Sequence, residues 1–260
     1  MPVPTFPFTS ALVTGASSGI GEVMSGMLAD AGVSVVAIAR RTDRLAALAE
    51  RHSGVEVLVA DLSTDAGQAA VAERIADTSR PIDLVVNNAG FGTSGDFHEL
   101  DPERLADEIE VNVAALTRLS HAALSVMLPR GRGWLLNVSS VASFQPAPHL
   151  AVYAASKAYV TSLTESLHEE ARGSGVHVTA LCPGLTHTEF QRVSNTQHYS
   201  RDYPSMAWTD VDDVVRTGLA DVVANKALSV PGAQYKLLSA LSNVTPRWIR
   251  RKASAKVRRS

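Results

Sequence analysis

The chain of 260 residues is 45% hydrophobic and 19% charged, a composition typical of a folded globular protein and not of a disordered one. Its formal net charge of -2 at pH 7 gives no support to nucleic-acid binding. The single cysteine, Cys182, cannot form a disulfide within the chain, which fits a reducing compartment. The first ten residues lack the charged region of a signal peptide, and no apolar run approaches the ~20 residues of a membrane-spanning helix, so a cytoplasmic location is expected.

Short β-branched and aliphatic runs alternate with helical patterns along the chain. The runs are continuous, which is typical of strands buried on both faces of a sheet. Strands are predicted at 11–14, 33–39, 55–59, 84–87, 134–139 and 176–182, and helices at 19–31, 42–52, 64–78, 102–128 and 151–173. The repeated order of strand and helix predicts an α/β fold, a single-domain Rossmann-type doubly wound parallel sheet flanked by helices on both faces.

The pattern predicts one domain over 1–246, without an internal linker. Residues 186–208 show no clear period, and a loop of this length is typical of a substrate lid. Residues 247–260 form a basic tail with seven cationic side chains and no acidic one. This tail is interpreted as a solvated end, or else as a weak contact with a membrane surface or an acidic partner, because Trp248 and Ile249 add an apolar element.

A glycine-rich turn, Thr14-Gly15-Ala16-Ser17-Ser18-Gly19-Ile20-Gly21, follows the first predicted strand and opens a helix. Glycines permit a tight turn and a close approach of the backbone to a pyrophosphate, and the helix N-terminus favours anions. A plain structural turn is the alternative, but the position between strand and helix favours a nucleotide site.

Two arginines, Arg40 and Arg41, follow the second strand, where a site for NAD usually has a carboxylate. Their guanidinium groups suit a 2′-phosphate, which predicts NADP(H) rather than NAD, although Arg41 could instead be a solvated residue at a helix start. Asp61 after the third strand could accept a hydrogen bond from the adenine, or cap the next turn.

Tyr153 and Lys157 are four residues apart in a predicted helix and therefore share one face. Ser140 lies at the end of the preceding strand, at the sheet edge where α/β proteins bind ligands. Together with the glycine-rich turn, these residues predict an active site.

With these residues the chain resembles the classical short-chain dehydrogenase/reductase family over roughly residues 8 to 190. The family's TGxxxGxG motif matches Thr14 to Gly21, its NNAG motif matches Asn87 to Gly90, and its helix asparagine matches Asn112. The Ser and Tyr-x-x-x-Lys set matches Ser140, Tyr153 and Lys157, and the PG motif matches Pro183-Gly184 with Thr188.

The resemblance implies a role for each catalytic position. Tyr153 would donate a proton to the carbonyl oxygen, and Lys157 would lower the tyrosine's pKa and hold the nicotinamide ribose. Ser140 would hydrogen-bond the substrate oxygen, although Ser139 is an alternative that its spacing to the tyrosine disfavours. Asn112 would hold a water that relays protons, or would be only a polar helix residue.

The resemblance also implies a cofactor site. Thr188 would bind the nicotinamide carboxamide or cap the next segment, and Thr186 stands where the family commonly has an aliphatic residue. The expected cofactor-binding residues are Gly15, Ser17, Ser18, Gly19, Ile20, Gly21, Arg40, Arg41, Asp61, Leu62, Asn88, Ala89, Gly90, Tyr153, Lys157, Pro183, Gly184, Thr186 and Thr188, with Asn88 to Gly90 mainly bracing the sheet.

The expected substrate pocket comprises Ser140, Phe91, Phe144 and Phe190. The lid adds the apolar residues Val193, Tyr199, Tyr203, Met206 and Trp208. An apolar pocket suits a hydrophobic ketone of the 3-oxoacyl, steroid-like or other lipid-like kind, unless these aromatics only fasten the lid. The histidines show no metal-ligand spacing, so no metal is expected.

The C-terminal part departs from the commonest family pattern, because residues 228–232 lead into a helical segment at 233–241. The departure leaves a homodimer or a homotetramer open, and a dimer could form through the helices 102–128 and 151–173. Two other functions remain: a regulatory protein that binds NADP without catalysis, and a sugar-nucleotide epimerase or dehydratase. A regulator would be expected to lose the tyrosine or lysine, and an epimerase to have a longer substrate domain.

Overall fold

The computed structural model describes residues 5–246 together with Trp248 and Ile249. The strands in this part of the chain are β1 (Ser10–Thr14), β2 (Ser34–Ala39), β3 (Val55–Val59), β4 (Leu84–Asn87), β5 (Gly133–Val138), β6 (Val176–Leu181), β7 (Leu185–Thr186), β8 (Trp208–Thr209) and β9 (Leu228–Ser229). The α-helices are α1 (Gly19–Asp30), α2 (Thr42–Arg51), α3 (Asp65–Ala76), α4 (Pro102–Ile109), α5 (Leu116–Arg130), α6 (Ala151–Glu170), α7 (Phe190–Val193), α8 (Tyr199–Asp202), α9 (Val211–Val223) and α10 (Ala233–Val244).

Seven strands form one parallel sheet in the order β3-β2-β1-β4-β5-β6-β9. The strand order reverses between β1 and β4, so the carboxyl ends of these strands border a crevice in which α/β proteins bind ligands. Leu12 pairs with Val85 across this junction. The predicted fold class, a doubly wound parallel sheet flanked by helices, is confirmed.

Helices cover both faces of the sheet. On one face α1 and α9 contact each other, and Met24 and Leu219 belong to the same buried cluster. On the other face α3 contacts α5, and Val71 and Leu119 are fully buried. Burying one such side chain stabilises the fold by about 1.5–3 kcal/mol. The two helix layers therefore stabilise the sheet, whose carboxyl edge carries the site.

The prediction that every strand is buried on both faces is wrong for β3. This strand is at the sheet edge and pairs only with β2. Val57 and Val59 are 36% and 49% exposed. An apolar run therefore does not distinguish an edge strand from a central one when its side chains face solvent.

Outside the lid and the β7–β8 pair, the sequence prediction lacks one strand and one α-helix. The seventh strand, β9, has two residues and is too short to give a pattern. The helix α9 does have a signal, since the Asp210 side chain caps it by accepting a hydrogen bond from Asp212 N, and Val215, Leu219 and Val222 are buried at helical spacing.

The single helix predicted at 102–128 is interrupted. A π-helical segment, Glu110–Ala115, lies between α4 and α5. Such π-helical turns occur mostly at functional sites, and this one contains Asn112. Because a π-helical turn contains more residues than an α-helical turn, the 3.6-residue repeat of an α-helix does not continue through 102–128.

The predicted lid at 186–208 is not an open loop. It contains the short helices α7 and α8 and begins and ends in the parallel pair β7–β8. His187 stacks on Trp208 with ring centroids 4.0 Å apart, beside this strand pair. The lid is therefore a small closed unit.

One helical run among the described residues, Pro102–Arg130, is long and apolar enough by length and composition to cross a membrane. No such run is predicted from the sequence. In the structure α5 contacts α3, β4 and β5, as a core helix of a sheet protein does.

Candidate active site

The glycine-rich turn forms a cradle at the carboxyl end of β1. Gly15 and Gly19 have φ angles of +68° and +57°, which favour glycine. A Cβ on Gly15 would lie 2.8 Å from Asn88 Nδ2, and one on Gly19 would lie 3.1 Å from Thr188 Cβ. Ser18 makes no side-chain capping bond to α1, so the first N–H groups of the helix can donate to an anion.

The loop after β4 braces this cradle. Asn88 Nδ2 donates to Thr14 O at 2.9 Å, and the backbone N–H groups of Asn88 and Ala89 donate to Thr14 Oγ1 at 2.9 and 3.0 Å. Gly21 lies behind the cradle, because a Cβ there would be 2.4 Å from both Asn88 Nδ2 and Gly15 O. Asn88 and Gly21 thus fix the distance between β1 and β4. Gly21 does not line the cavity, and its contact with a cofactor stays a prediction.

The two arginines after β2 differ in their surroundings. The Arg40 side chain is 68% exposed, and its Nη1 lies 3.8 Å from Asp61 Oδ2. Arg41 is held by Ser17, whose hydroxyl accepts from Nε and Nη2 at 3.2 and 3.1 Å, and by Glu189, whose Oε2 accepts from Nη1 at 2.8 Å. The structure therefore gives Arg41 a fixed position and leaves Arg40 in solvent.

Asp61 shows the capping role that the sequence analysis left open. Its Oδ1 accepts hydrogen bonds from Ser63 N at 3.0 Å and Ser63 Oγ at 2.8 Å. Burial tends to raise the pKa of Asp61, but these bonds and the nearby Arg40 outweigh it and lower the pKa below its ordinary value. The carboxylate still lines the cavity beside Leu62, at the predicted adenine end.

Tyr153 and Lys157 lie on one face of α6, as their spacing predicts. Lys157 is buried, and its Nζ donates to Val138 O at 2.8 Å and lies 5.8 Å from the centroid of the Tyr153 ring. This ties the lysine to the end of β5. Both side chains border the cavity.

The two serines after β5 have separate roles. Ser139 is 2% exposed, and its hydroxyl donates to Lys157 O at 2.8 Å and lies 2.7 Å from Thr161 Oγ1, so it fastens α6 to the sheet. Ser140 lines the cavity, its hydroxyl accepts a hydrogen bond from Ala142 N at 3.1 Å, and it lies near enough to Tyr153 to lower the pKa of that side chain. The geometry places Ser140, and not Ser139, beside the tyrosine hydroxyl.

Burial raises the pKa of Tyr153 to about 12, and the nearby Ser140 hydroxyl offsets this only in part. Burial also lowers the pKa of Lys157 to about 8. Removal of the phenolate from water dominates here and the Lys157 ammonium is bonded to Val138 O, so the lowering of the tyrosine's pKa by Lys157 stays a prediction. At neutral pH, Tyr153 is therefore a protonated acid.

Asn112 is fully buried in the π-helical segment. Its Nδ2 donates to Phe91 O at 2.8 Å and to Ser156 Oγ at 3.1 Å, and its Oδ1 accepts from Phe91 N at 3.1 Å. A Cβ on Gly90 would lie 2.7 Å from Asn112 Oδ1 and 3.4 Å from Lys157 Nζ. Asn112 holds the loop after β4 against α6, and its role in a water relay stays a prediction.

Glu108 is a buried carboxyl that the sequence analysis missed. It lies on α4 four residues before Asn112, is 0% exposed, and neither of its oxygens has a hydrogen-bond partner in the described part of the chain. Burial raises its pKa to about 7, although neighbouring Thr93, Arg104 and Lys157 lower it in part. Its spacing to Asn112 was the available signal, since residues four apart share a helix face.

The lid covers the catalytic end of the cavity. The Phe190 ring lies 5.2 Å from the Tyr153 ring, between centroids, and Ser194 Oγ accepts from Gly92 N at 3.0 Å. Arg104 Nη2 donates to Val193 O at 2.6 Å and its guanidinium lies over the ring of Phe91, 5.1 Å from the centroid. These contacts connect the lid to α4 and to the loop after β4.

Not every predicted pocket residue faces the cavity. Phe144 packs beside the buried cluster of Cys182, Val230 and Tyr235 and does not line the cavity, so its contact with a substrate stays a prediction. Among the lid residues, Met206 is 81% exposed, and Trp208 stacks on His187. Neither Met206 nor Trp208 lines the cavity, and Trp208 belongs to the β7–β8 pair.

The two threonines after Gly184 bond within their own turns. Thr186 Oγ1 donates to Gly184 O at 3.2 Å, and Thr188 Oγ1 accepts from Phe190 N at 3.2 Å. The capping alternative for Thr188 is thus observed. Both residues still line the cavity, and their contact with a nicotinamide carboxamide stays a prediction.

Tyr235 on α10 is a second residue without a sequence prediction. Its hydroxyl donates to Ala207 O at 2.5 Å and accepts from Leu185 N at 3.0 Å, which joins the two ends of the lid. A Cβ on Gly184 would lie 1.9 Å from Tyr235 Cε2, so the ring needs a glycine there. The C-terminal helix thus supports the site.

A cavity of about 760 Å³ brings most predicted site residues together. Gly21, Asn112 and Phe144 do not line it. The predicted residues that do are Gly15, Ser17, Ser18, Gly19, Ile20, Arg40, Arg41, Asp61, Leu62, Asn88, Ala89, Gly90, Phe91, Ser140, Tyr153, Lys157, Pro183, Gly184, Thr186, Thr188 and Phe190.

Known proteins are similar to this chain in sequence and in fold. The short chain dehydrogenase family matches residues 9–198. An oxidoreductase of Myxococcus xanthus is 38% identical over 72% of this chain and 76% of its own. An acetoacetyl-CoA reductase of Paracoccus denitrificans is 30% identical over 79% of this chain and 87% of its own.

A solved structure agrees with these relatives. A short-chain dehydrogenase from Sphingobium yanoikuyae, in complex with NADPH, superposes with a TM-score of 0.81 and 33% identity over 90% of this chain and 93% of its own. The family match covers the strands β1 to β6 and the Ser140, Tyr153 and Lys157 site. The chain belongs to the short chain dehydrogenase family and is an oxidoreductase of the dehydrogenase/reductase type.

Proposed function

We propose that this oxidoreductase uses NADP(H) to reduce a hydrophobic ketone to a secondary alcohol. The observation that carries the proposal is a single cavity lined both by Arg40 and Arg41 and by Ser140, Tyr153 and Lys157. One ligand can therefore contact an anion-binding end and a proton-donating end together. The NADPH complex of the Sphingobium yanoikuyae relative supports this choice of cofactor.

The residues present fit a dinucleotide phosphate. The cradle at Gly15 and Gly19 leaves no room for side chains, and the open N-terminus of α1 can donate to a pyrophosphate. Arg40 and Arg41 would hold the 2′-phosphate, and Lys157 would donate to the nicotinamide ribose hydroxyls. When bound, the nicotinamide supplies the hydride.

The chain's own part in the reduction is proton transfer and orientation. Ser140 and Tyr153 would both donate hydrogen bonds to the substrate oxygen, which stabilises its developing negative charge. Tyr153 is protonated at neutral pH, so it can transfer its proton to that oxygen. The nearby ammonium of Lys157 would then stabilise the phenolate that remains.

The walls around Tyr153 favour an apolar substrate. Phe91, Leu150, Phe190, Tyr199 and Tyr203 line this cavity. The acetoacetyl-CoA reductase relative acts, by its name, on a 3-oxoacyl thioester, which supports a lipid-like ketone. The Phe190 ring packs against Tyr153 and the Tyr203 ring against Tyr199 within the lid, so the two interpretations of the lid aromatics are compatible.

The 2′-phosphate contacts can be tested by replacing both Arg40 and Arg41 with Ala. The dissociation constant for NADPH should rise roughly 10- to 100-fold, because one charged hydrogen bond contributes about 1.5–3 kcal/mol and the exposed Arg40 adds little to it, and that for NADH should change little. Fluorescence of the bound reduced nicotinamide measures both constants. Arg51→Ala is the control, since Arg51 lies on α2 but pairs with Glu22 at 2.6 Å. Equal losses for NADPH and NADH would remove the two arginines from a 2′-phosphate site.

Assembly and location stay predictions. A homodimer or a homotetramer is expected, with α5 and α6 as candidate contact helices, and a cytoplasmic location is expected. The basic residues Arg247, Arg250, Arg251, Lys252, Lys256, Arg258 and Arg259 lie outside the described residues, so the membrane-contact interpretation of the tail and its boundary with domain 1–246 are unchanged.

A further inference from the structure

Arg41, one of the two arginines assigned to the 2′-phosphate, has its hydrogen-bonding edges occupied. Its Nε and Nη2 donate to Ser17 Oγ, its Nη2 also approaches Ser17 O at 3.1 Å, and its Nη1 donates to Glu189 Oε2 at 2.8 Å. A guanidinium that binds phosphate through two parallel bonds needs two adjacent N–H groups on one edge. Arg41 must therefore give up one of these partners to bind a phosphate in that way.

Of the two partners, Glu189 is the one with a charge to exchange. Its carboxylate lies at the start of the lid, with Arg192 Nη2 at 3.6 Å and Arg44 Nη2 at 3.8 Å from Oε1. The hydrogen bond from Arg41 keeps the pKa of Glu189 below its ordinary value, so the group is an anion at neutral pH. Ser17, by contrast, belongs to the glycine-rich turn and has no charge.

Arg40 provides the comparison. Its only described ion pair is at 3.8 Å, beyond hydrogen-bond distance, and its side chain is 68% exposed. A phosphate can therefore meet Arg40 without displacing a bonded partner. A phosphate must therefore displace a bonded partner to reach Arg41 but not to reach Arg40.

We propose that the Glu189 carboxylate competes with the cofactor's 2′-phosphate for Arg41 and so sets the affinity for NADP(H) relative to NAD(H). The inference rests on the proposed cofactor. In the absence of cofactor Glu189 neutralises Arg41, and the 2′-phosphate replaces the carboxylate on Nη1. Cofactors without a 2′-phosphate leave the pair intact.

The geometry also connects this exchange with the substrate end. Phe190 follows Glu189 directly, and its ring lies 5.2 Å from the Tyr153 ring. Glu189 therefore belongs to the same short segment that covers the tyrosine. Glu189 and Arg41 are 148 positions apart in sequence. Because Arg41 also donates to Ser17, this ion pair connects the lid to the glycine-rich turn.

The test is the variant Glu189→Gln, which keeps the side-chain shape and removes the charge. The ligands are NADPH, NADH, adenosine 2′,5′-bisphosphate and AMP, titrated against the full-length chain by calorimetry. We expect NADPH and the bisphosphate to bind about 3- to 10-fold more tightly, the range for loss of one partly exposed ionic competitor, and NADH and AMP to change less than about twofold.

Two further variants sharpen the result. In an Arg41→Ala background, Glu189→Gln should change the NADPH affinity little, because the shared partner is gone. Glu169→Gln is the control for the change in net charge, since Glu169 lies on α6, pairs with Arg172 beyond the end of that helix and does not line the cavity.

Weaker or unchanged binding of NADPH by Glu189→Gln would overturn the proposal, and weaker binding would make Glu189 a clamp on the cofactor. Equal gains for NADPH and NADH would also overturn it, because a general repulsion of the pyrophosphate would then explain the effect. Failure of the proposed cofactor is distinguishable, since the unmodified chain would then bind NADPH no better than NADH. Melting curves of each variant check that the fold is retained.

Discussion

We expect Tyr153→Phe to lower the rate of NADPH-dependent ketone reduction by roughly 10²- to 10⁴-fold, the usual contribution of a positioned general acid. The variant removes only the hydroxyl. The ring contacts with Phe190 and with the Lys157 ammonium remain, so the affinity for NADPH should be nearly unchanged. Loss of NADPH absorbance with a ketone substrate measures the rate, and nicotinamide fluorescence measures binding.

Tyr159→Phe is the matched control for this experiment. Tyr159 lies on the same helix, α6, but it is 41% exposed and its hydroxyl is 3.0 Å from Thr117 Oγ1. Its loss should leave the rate within about threefold of the original, as for most surface changes. If Tyr153→Phe retained more than about a tenth of the rate, another group would have to be the proton donor.

The second large effect concerns stability and involves Glu108. Glu108→Gln should raise the free energy of unfolding at pH 8 by up to about 3 kcal/mol and at pH 5 by less than about 1 kcal/mol. The cause is burial, which raises the carboxyl's pKa from 4.5 to about 7. Glutamine has the same shape and cannot ionise.

The direction of this pH dependence follows from proton uptake. Between pH 4.5 and about 7 the folded state keeps the Glu108 proton while the unfolded chain releases it, so stability falls as the pH rises. Above about 7 both states are ionised, and the full cost of the buried carboxylate is present. Glutamine at this position removes that cost.

Urea unfolding of the full-length chain at the two pH values measures this difference. Glu73→Gln, at an exposed position on α3, is the control and should show no pH-dependent gain. A Glu108→Gln variant that is less stable than the original protein at pH 8 would show that the carboxylate is ionised and well paired, with Arg104 and the buried Lys157 as the candidate partners.

Features fixed by neighbouring residues could be predicted from the sequence. In the turn at 15–21, Gly15 and Gly19 have positive φ angles, and Gly21 allows a close approach of the backbone. Tyr153 and Lys157 share a helix face because they are four residues apart. Ser140 could be distinguished from Ser139 only by motif spacing, and the structure supplies the reason, namely the bonds of Ser139 to α6.

Features set by distant residues could not be predicted. Arg41 and Glu189 form an ion pair although they are 148 positions apart in sequence. The Tyr235 hydroxyl accepts a hydrogen bond from Leu185 N, 50 positions earlier in the chain. The pKa of Tyr153 depends on how deeply its helix is buried, and no local pattern reports that depth. The same limit applies to Phe144, an aromatic residue close to Ser140 in sequence that packs against a buried cluster and does not line the cavity.

The most direct test of the account is the transfer of deuterium from nicotinamide-deuterated NADPH to a series of ketones graded in size and polarity. Mass spectrometry of the alcohols shows whether label reaches the carbinol carbon. We predict labelled alcohol, formed faster from bulky apolar ketones than from small polar ones and faster with NADPH than with NADH. NADPH that binds while every ketone stays unlabelled and unreduced would contradict the account and indicate a regulatory protein or an enzyme that returns its hydride to the substrate.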